Sequence, residues 1–330
     1  MNILCLLNPA SGDGDALAKW PHVASLMAEF DMKVELLAEK GVPLQTQLIR
    51  HVEMNGIESY AAIAGVGGDG THSSIINAMV TLSRLHPELR WPPYAFIPMG
   101  TGNDIAKSFG LASRDDFFVS DIRRAVSTIL HGADYRMDLG LLNSSTYFAD
   151  ALTIGLDSHV LQERNINKRW IKRVPILRNL IRGKLLYTLS FGPRLLNHNP
   201  VHADIEIDGA SWYSGPVVNL VIKNTRIYAG EFDFCPTTYS NDGLLDVVAF
   251  TGHVDYLTSY FLALRSNPQA VRKWVMKMKK ESTHILARRI AIRIDPPEAA
   301  QLDGEEIPAA ASYEVEVVPG ALHIKTPAEP

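Results

Sequence analysis

Cysteine is nearly absent: Cys5 and Cys235 are the two in 330 residues. They form no metal-ligand spacing and cannot build a disulfide framework. Each lies among apolar neighbours, so both read as buried free thiols in a reducing compartment. No window approaches the roughly 18 to 20 apolar residues that a membrane span needs. The opening MNILCLLNPA is too short an apolar run for a signal peptide and lacks a basic start. These absences predict a soluble, cytoplasmic chain whose membrane contact is at most peripheral. Excess positive charge is missing too. With 32 Lys+Arg against 36 Asp+Glu, the net charge of −4 argues against a nucleic-acid partner. There is no internal repeat and no low-complexity segment. No G-x-x-x-x-G-K-[ST] occurs, so any ATP chemistry must proceed without that lysine.

What is present is a core-forming composition, 46% hydrophobic and 21% charged. Through about residue 130, strand-like runs alternate with helix-like ones. NILCLL, KVELLA, SYAAIAG and YAFIPMG read as strands. Stretches 15–30, 44–54, 72–85 and 120–130 read as helices. This alternation predicts a parallel sheet covered on both faces. Beyond residue 134 strands dominate: TYFADALTIG, ADIEIDG, VVNLVIKN, LLDVVAF, ARRIAIRID and YEVEVVPG. Helical insertions are expected near 160–190 and 253–278. The predicted division is an α/β domain over 1–134 and a mostly antiparallel β-rich domain over 135–330, with the extreme C-terminus free to pack back on the first.

Three strand ends carry glycine with polar residues: NPASGDG from Asn8, GGDGT from Gly67, and MGTGND from Met99. A weaker loop, AEKG, begins at Ala38. Ligands bind at the carboxyl ends of parallel strands. Glycines let backbone N–H groups approach a phosphate, and a following helix N-terminus adds positive potential. Asp69 would repel a bare phosphate, so its presence implies an intervening Mg²⁺. Each loop alone could equally be a tight strand-to-helix connection with a capping Asp or Thr. Gly65 to Gly70 also satisfies G-x-G-x-x-G. It follows the third strand rather than the first, however, and no acidic residue ends a strand about 20 residues on.

Taken together, NPASG, GGDGT, MGTGND, RMDLG, NDGLLDV and LDGEE resemble the diacylglycerol kinase catalytic family. More narrowly, they resemble its soluble bacterial lipid kinases, which are related to sphingosine kinases and NAD kinases. The resemblance implies an NAD kinase-like α/β nucleotide domain, a C-terminal β-sandwich-like domain that takes the lipid, and a cleft between them. It implies that Asn8, Pro9, Ala10, Ser11 and Gly12 cradle ATP. Gly68, Asp69, Gly70 and Thr71 would hold phosphates, the site continuing through His72, Ser73 and Ser74. Thr101 and the loop at Ala38 would also face the nucleotide. It further implies that Asp69 reaches Mg²⁺ and that Asp138 joins an acidic metal network. Asp242 would bind a structural Mg²⁺ with the carbonyls of Tyr239 and Leu244. Glu305 would take the proton from the lipid hydroxyl, its pKa raised by the neighbouring Asp303 and Glu306.

The chain departs from the family pattern at several positions. Ser73 and Ser74 stand where Asn-Glu is usual, Ala38 where a threonine is expected, and Asp150 where an asparagine is usual. The bland alternative for Asp303-Gly304 and Asp242-Gly243 is a plain hairpin turn with solvated acids.

Between Arg164 and Lys184, six cations interleave with Ile171, Val174, Leu177, Ile181 and Leu185 at helical spacing. That describes either a peripheral contact with a membrane holding the lipid substrate or an ordinary surface helix. Arg272 to Lys280 repeats the pattern more weakly. A lipid kinase, an NAD kinase-like or other small-molecule kinase, and a non-catalytic lipid- or nucleotide-binding regulator all remain open. So does a homodimer.

Overall fold

The computed structural model describes residues 1–9, 11, 16–100, 102–113, 118–171, 197–229, 232, 238–263 and 283–327. Its first half is built on β1 (Asn2–Leu7), β2 (Lys33–Leu37), β3 (Ala62–Gly67) and β4 (Tyr94–Pro98), paired in parallel in the order β2-β1-β3-β4. Alternation along β1 explains the layers. Leu4 and Leu6 enter one core with α2 (Leu44–Asn55) and α3 (Asp69–Leu85). Ile3, Cys5 and Leu7 enter the opposite core with α1 (Ala16–Glu29) and α5 (Phe118–His131). A strand buried on both faces reads as a continuous apolar run, as ILCLL does after the exposed Asn2. Cys5 is a free, fully buried thiol, and burial pushes its pKa up. Cys235 lies outside the described residues.

The helices run close to their predicted limits. The five-residue α4 (Asp104–Ser108), which was not expected, follows the MGTGN loop.

The second half is antiparallel. Its strands are β5 (Ala133–Leu142), β6 (Thr146–Phe148), β7 (Ala151–Gly155), β8 (Val201–Ile207), β9 (Ala210–Val217), β10 (Asn219–Lys223), β11 (Leu245–Phe250), β12 (Thr283–Ala287), β13 (Arg289–Leu302) and β14 (Glu305–Thr326). TYFADALTIG, expected as one strand, is two, broken at Ala149 and Asp150. The reason is electrostatic: the Asp303 carboxylate takes the N–H groups of Ala149, Asp150 and Ala151 in place of a neighbouring strand. The helices here are α6 (Leu156–Ile171) and α7 (His253–Ala263). Most of the basic stripe and all of Arg272–Lys280 lie outside the described residues. Among the described residues, no helix is long and apolar enough to cross a membrane.

β14 joins the halves. It starts beside β13 (Leu302↔Glu305), runs antiparallel to β5, and reaches β4 in parallel at Ile324↔Tyr94. One sheet therefore runs from β12 to β2. The strand that begins with Glu305 is registered directly against the sheet that carries the glycine loops.

Candidate active site

The carboxyl ends of β1, β3 and β4 lie side by side, so the loops that leave them must converge. Thr71, at the start of α3, takes Asn8 Nδ2 at 3.2 Å and lies 3.0 Å from the Ser11 hydroxyl. Asn8 N donates to Val66 O. Gly68 and Gly100 touch backbone to backbone: a Cβ on Gly100 would sit 2.4 Å from Gly68 Cα. Met99 N donates to Gly67 O at 2.7 Å. Asn103, in the left-handed region at φ 53°, clasps its own loop by bonding both the N–H and the carbonyl of Gly100. Pro9 sits in the first of these loops. Ala10, Gly12 and Thr101 lie outside the described residues.

Asp69 opens α3, where a carboxylate complements the helix dipole. Its Oδ1 accepts from Ile105 N at 3.2 Å. A Cβ on Gly102 would meet its Oδ2 at 3.0 Å. Part of its surface remains open, yet its carboxyl is closely enclosed by protein atoms. That burial raises its pKa, and the nearby Asp150 carboxylate pushes the same way. Backbone N–H groups of Ile105 and Asp104 oppose both.

Glu305 arrives from the other half. A Cβ on Gly70 would lie 2.3 Å from its Oε1, so the glycine is required by the close approach of that carboxylate. The Asp303-Gly304 turn that delivers it has φ values of 47° and 79°, the geometry of a two-residue hairpin. Asp303 is not solvated. It is 2% exposed and accepts the three N–H groups of residues 149–151 at 2.8 to 3.0 Å. Mutual crowding of Asp303, Glu305 and Glu306 is therefore not what the structure shows. Asp303 is spent on backbone, and Glu306 accepts from Asn165 Nδ2.

Asp150, in place of the usual asparagine, is a buried side chain between the two halves. Lys223 Nζ bonds its Oδ1 at 2.5 Å, and the Thr225 hydroxyl bonds the same oxygen. Sequence reasoning missed Lys223, because a lysine inside a strand gives no sign of being 2% exposed.

The remaining predicted site residues are engaged with protein groups. The His72 imidazole is buried against Tyr94 and Phe96, and burial lowers its pKa to about 3. The backbone N–H of His72 donates to Gly68 O. His72 thus belongs to the core. Ser74 bonds Gln45 at 2.6 Å, and Ala38 packs on the apolar layer. The Ser73 carbonyl accepts from Asn77. Asp138 does not present a free carboxylate to a metal network: its two oxygens bind Gly243 N and Gly320 N, both at 2.7 Å. Asp242 closes a turn on Leu244 N at 2.9 Å. Burial raises its pKa, and the Asp138 and Asp246 charges add to the rise. Tyr239, on the same turn, is 65% exposed.

Asp303 also makes stability pH-dependent. Burial, then the Asp150 charge, lifts its pKa from 3.8 to about 6. The folded chain then holds this proton more tightly than the unfolded one. The stabilisation is complete below the unfolded value and is lost as pH rises through about 6, a change of about 3 kcal/mol. Asp303→Ala should cost about 3 kcal/mol at pH 7 by leaving buried N–H groups unpaired. Its deficit should grow further toward pH 4. Denaturant unfolding at the two pH values checks this, and a pH-independent deficit would refute it.

The donor set fits a hard dication and polyphosphate. Asp69 and the buried Asp150 are neighbouring carboxylates, and glycine backbone lies against Asp69.

The chain is similar to known proteins over nearly its whole length. The diacylglycerol kinase catalytic domain matches residues 2–142, and the YegS C-terminal NAD kinase beta sandwich-like domain matches residues 166–326. "Probable lipid kinase YegS" of Salmonella typhimurium is 25% identical over 328 residues, covering 98% of this chain and 95% of that one. The diacylglycerol kinase of Bacillus subtilis is 22% identical over 306 residues, 91% and 88% of the two chains. The crystal structure of a diacylglycerol kinase from Bacillus anthracis matches at a TM-score of 0.66 and 18% identity, over 98% of this chain and 96% of that one, and so shares its fold. Two domain matches in sequence order, on a shared fold, place this chain in the diacylglycerol kinase catalytic-domain family, in the form that carries a YegS-type C-terminal domain.

Proposed function

We propose that this chain is an ATP- and Mg²⁺-dependent lipid kinase that phosphorylates a diacylglycerol-like hydroxyl. The observation that carries the reading is the approach of Glu305 to Gly70, which sets a carboxylate of one half on the phosphate-type loop of the other. Asn8, Ser11, Gly68, Gly70 and Thr71, with the loop of Gly100, would hold the nucleotide phosphates. Asp69 would hold Mg²⁺, which when bound neutralises charge on the transferring phosphoryl oxygens. Phosphoryl transfer then asks the protein mainly for alignment and for a proton acceptor. Glu305 accepts the hydroxyl proton as the oxygen attacks phosphorus, and Asp303 fixes the turn from which Glu305 projects.

Asp242, with the carbonyls of Tyr239 and Leu244, would hold a second, structural Mg²⁺ outside the reaction. Mg²⁺ should therefore raise the melting temperature of the wild type more than that of Asp242→Ala, because a ligand of the native state stabilises it by mass action. Equal shifts would remove this site.

The acceptor is tested by ATP turnover with mixed anionic vesicles containing diacylglycerol, with NAD, and with neither. Vesicle-dependent turnover that falls with salt, alongside salt-insensitive turnover on the same lipid in neutral detergent, supports a lipid reached by peripheral docking of the basic stripe. Turnover with NAD alone would overturn the lipid assignment.

A further inference from the structure

His159, His198 and Glu298 bring one ligand atom each to within 4.8 Å of one another, in the antiparallel half and apart from the glycine loops. They come from three places in the chain: the first turn of α6, the residues before β8, and β13, where its pairing with β14 is irregular. Glu298 is buried, and its Oε1 lies 2.5 Å from His159 Nε2. An ordinary partly buried His–Glu pair would account for these two residues but not for His198.

The second imidazole is held in one orientation. His198 Nε2 donates to Val218 O at 2.9 Å, which leaves the lone pair of a neutral ring on Nδ1. His253 Nε2 in turn donates to the carbonyl of His198 at 2.9 Å. A histidine whose far nitrogen is tied to a backbone carbonyl is the usual support of a metal ligand. The first turn of α6 is equally fixed. Asp157, two residues before His159, accepts from Asn219 and from the hydroxyls of Tyr228, Tyr256 and Tyr260. Glu298 also takes Ala299 N.

We propose that His159, His198 and Glu298 form a site for a divalent transition ion of the Zn²⁺ class. Two imidazoles and a carboxylate suit Zn²⁺ and not Mg²⁺, which wants an all-oxygen shell. Bonds of about 2.1 Å in a tetrahedron separate ligand atoms by about 3.4 Å. The three groups already converge within that order of distance. The His159–Glu298 contact widens by about 1 Å as the ion replaces the proton between them. Three protein ligands leave a fourth position for water. The ion would cross-link α6, the approach to β8, and β13.

The test uses the full chain after chelator treatment, with Zn²⁺ alone in calorimetry and Co²⁺ as a visible spectroscopic probe. One Zn²⁺ per chain, tetrahedral Co²⁺ absorption, and a Zn²⁺-dependent rise in melting temperature are expected. Glu298→Gln, which keeps the shape, and His198→Ala should each weaken Zn²⁺ by more than about 100-fold, beyond the effect of losing an outer-shell partner. Replacing the exposed His202 with Asn should change nothing. Absence of Zn²⁺ uptake by the wild type, uptake unaltered in Glu298→Gln, or displacement by equimolar Mg²⁺ would each overturn the site.

Discussion

Asp69→Ala should lower phosphoryl transfer by about 10³-fold or more, the scale of removing a principal electrostatic element from a reaction that depends on charge stabilisation. The carboxylate proposed to hold Mg²⁺ is gone. Mg-nucleotide binding should weaken as well. Asp69 Oδ1 also accepts Ile105 N, so the alanine variant could act by loosening the MGTGN loop. Asp69→Asn separates the two causes. Its amide oxygen keeps the Ile105 bond while the charge is lost. It should melt near the wild-type temperature and still be inactive. An asparagine variant with more than about a tenth of wild-type activity would show that the charge is dispensable, against the role given to this group in phosphoryl transfer.

Glu305→Gln should lower turnover by about 10² to 10⁴-fold, the range of a general base. Nucleotide affinity should stay nearly unchanged. The glutamine keeps the length and the contact over Gly70, and only proton acceptance is lost. The contrast with Asp69 lies in where the loss appears: Asp69 affects binding and turnover, Glu305 turnover alone. Parallel losses of nucleotide affinity would recast Glu305 as a structural lid on Gly70 rather than the base.

Local chemistry made the first half of this fold legible. NILCLL, AIAGVG and YAFIP are mostly apolar because these parallel strands are buried on both faces, and each strand end announces its loop with glycine. Of the candidate site, the sequence displays motifs rather than contacts. Glu305 and Asp69 are marked by DGE and GGDGT, and the structure brings both against glycines of the loops. What was hidden depends on contacts that have no local signature. Asp303 reaches back more than 150 residues to three N–H groups, and nothing around Ala149 foretells that this bond breaks the strand. Asp138 sits in a motif yet serves Gly243 and Gly320. His72 follows a phosphate-type loop, but helical periodicity turns it into the core, beside Ile75 and Ile76. Lys223 sits mid-strand with an alternation that cannot reveal a buried charge. His159, His198 and Glu298 meet only because α6, the approach to β8, and β13 converge.

The most direct measurement follows the isotopically labelled γ-phosphate of ATP into the organic extract of diacylglycerol-containing vesicles. Wild type and Glu305→Gln are run side by side at equal nucleotide occupancy. Label should enter lipid with the wild type and stay in the aqueous phase with the variant. Label entering lipid equally with both proteins, or entering no lipid with the wild type, would contradict an enzyme that uses Glu305 to activate a lipid hydroxyl.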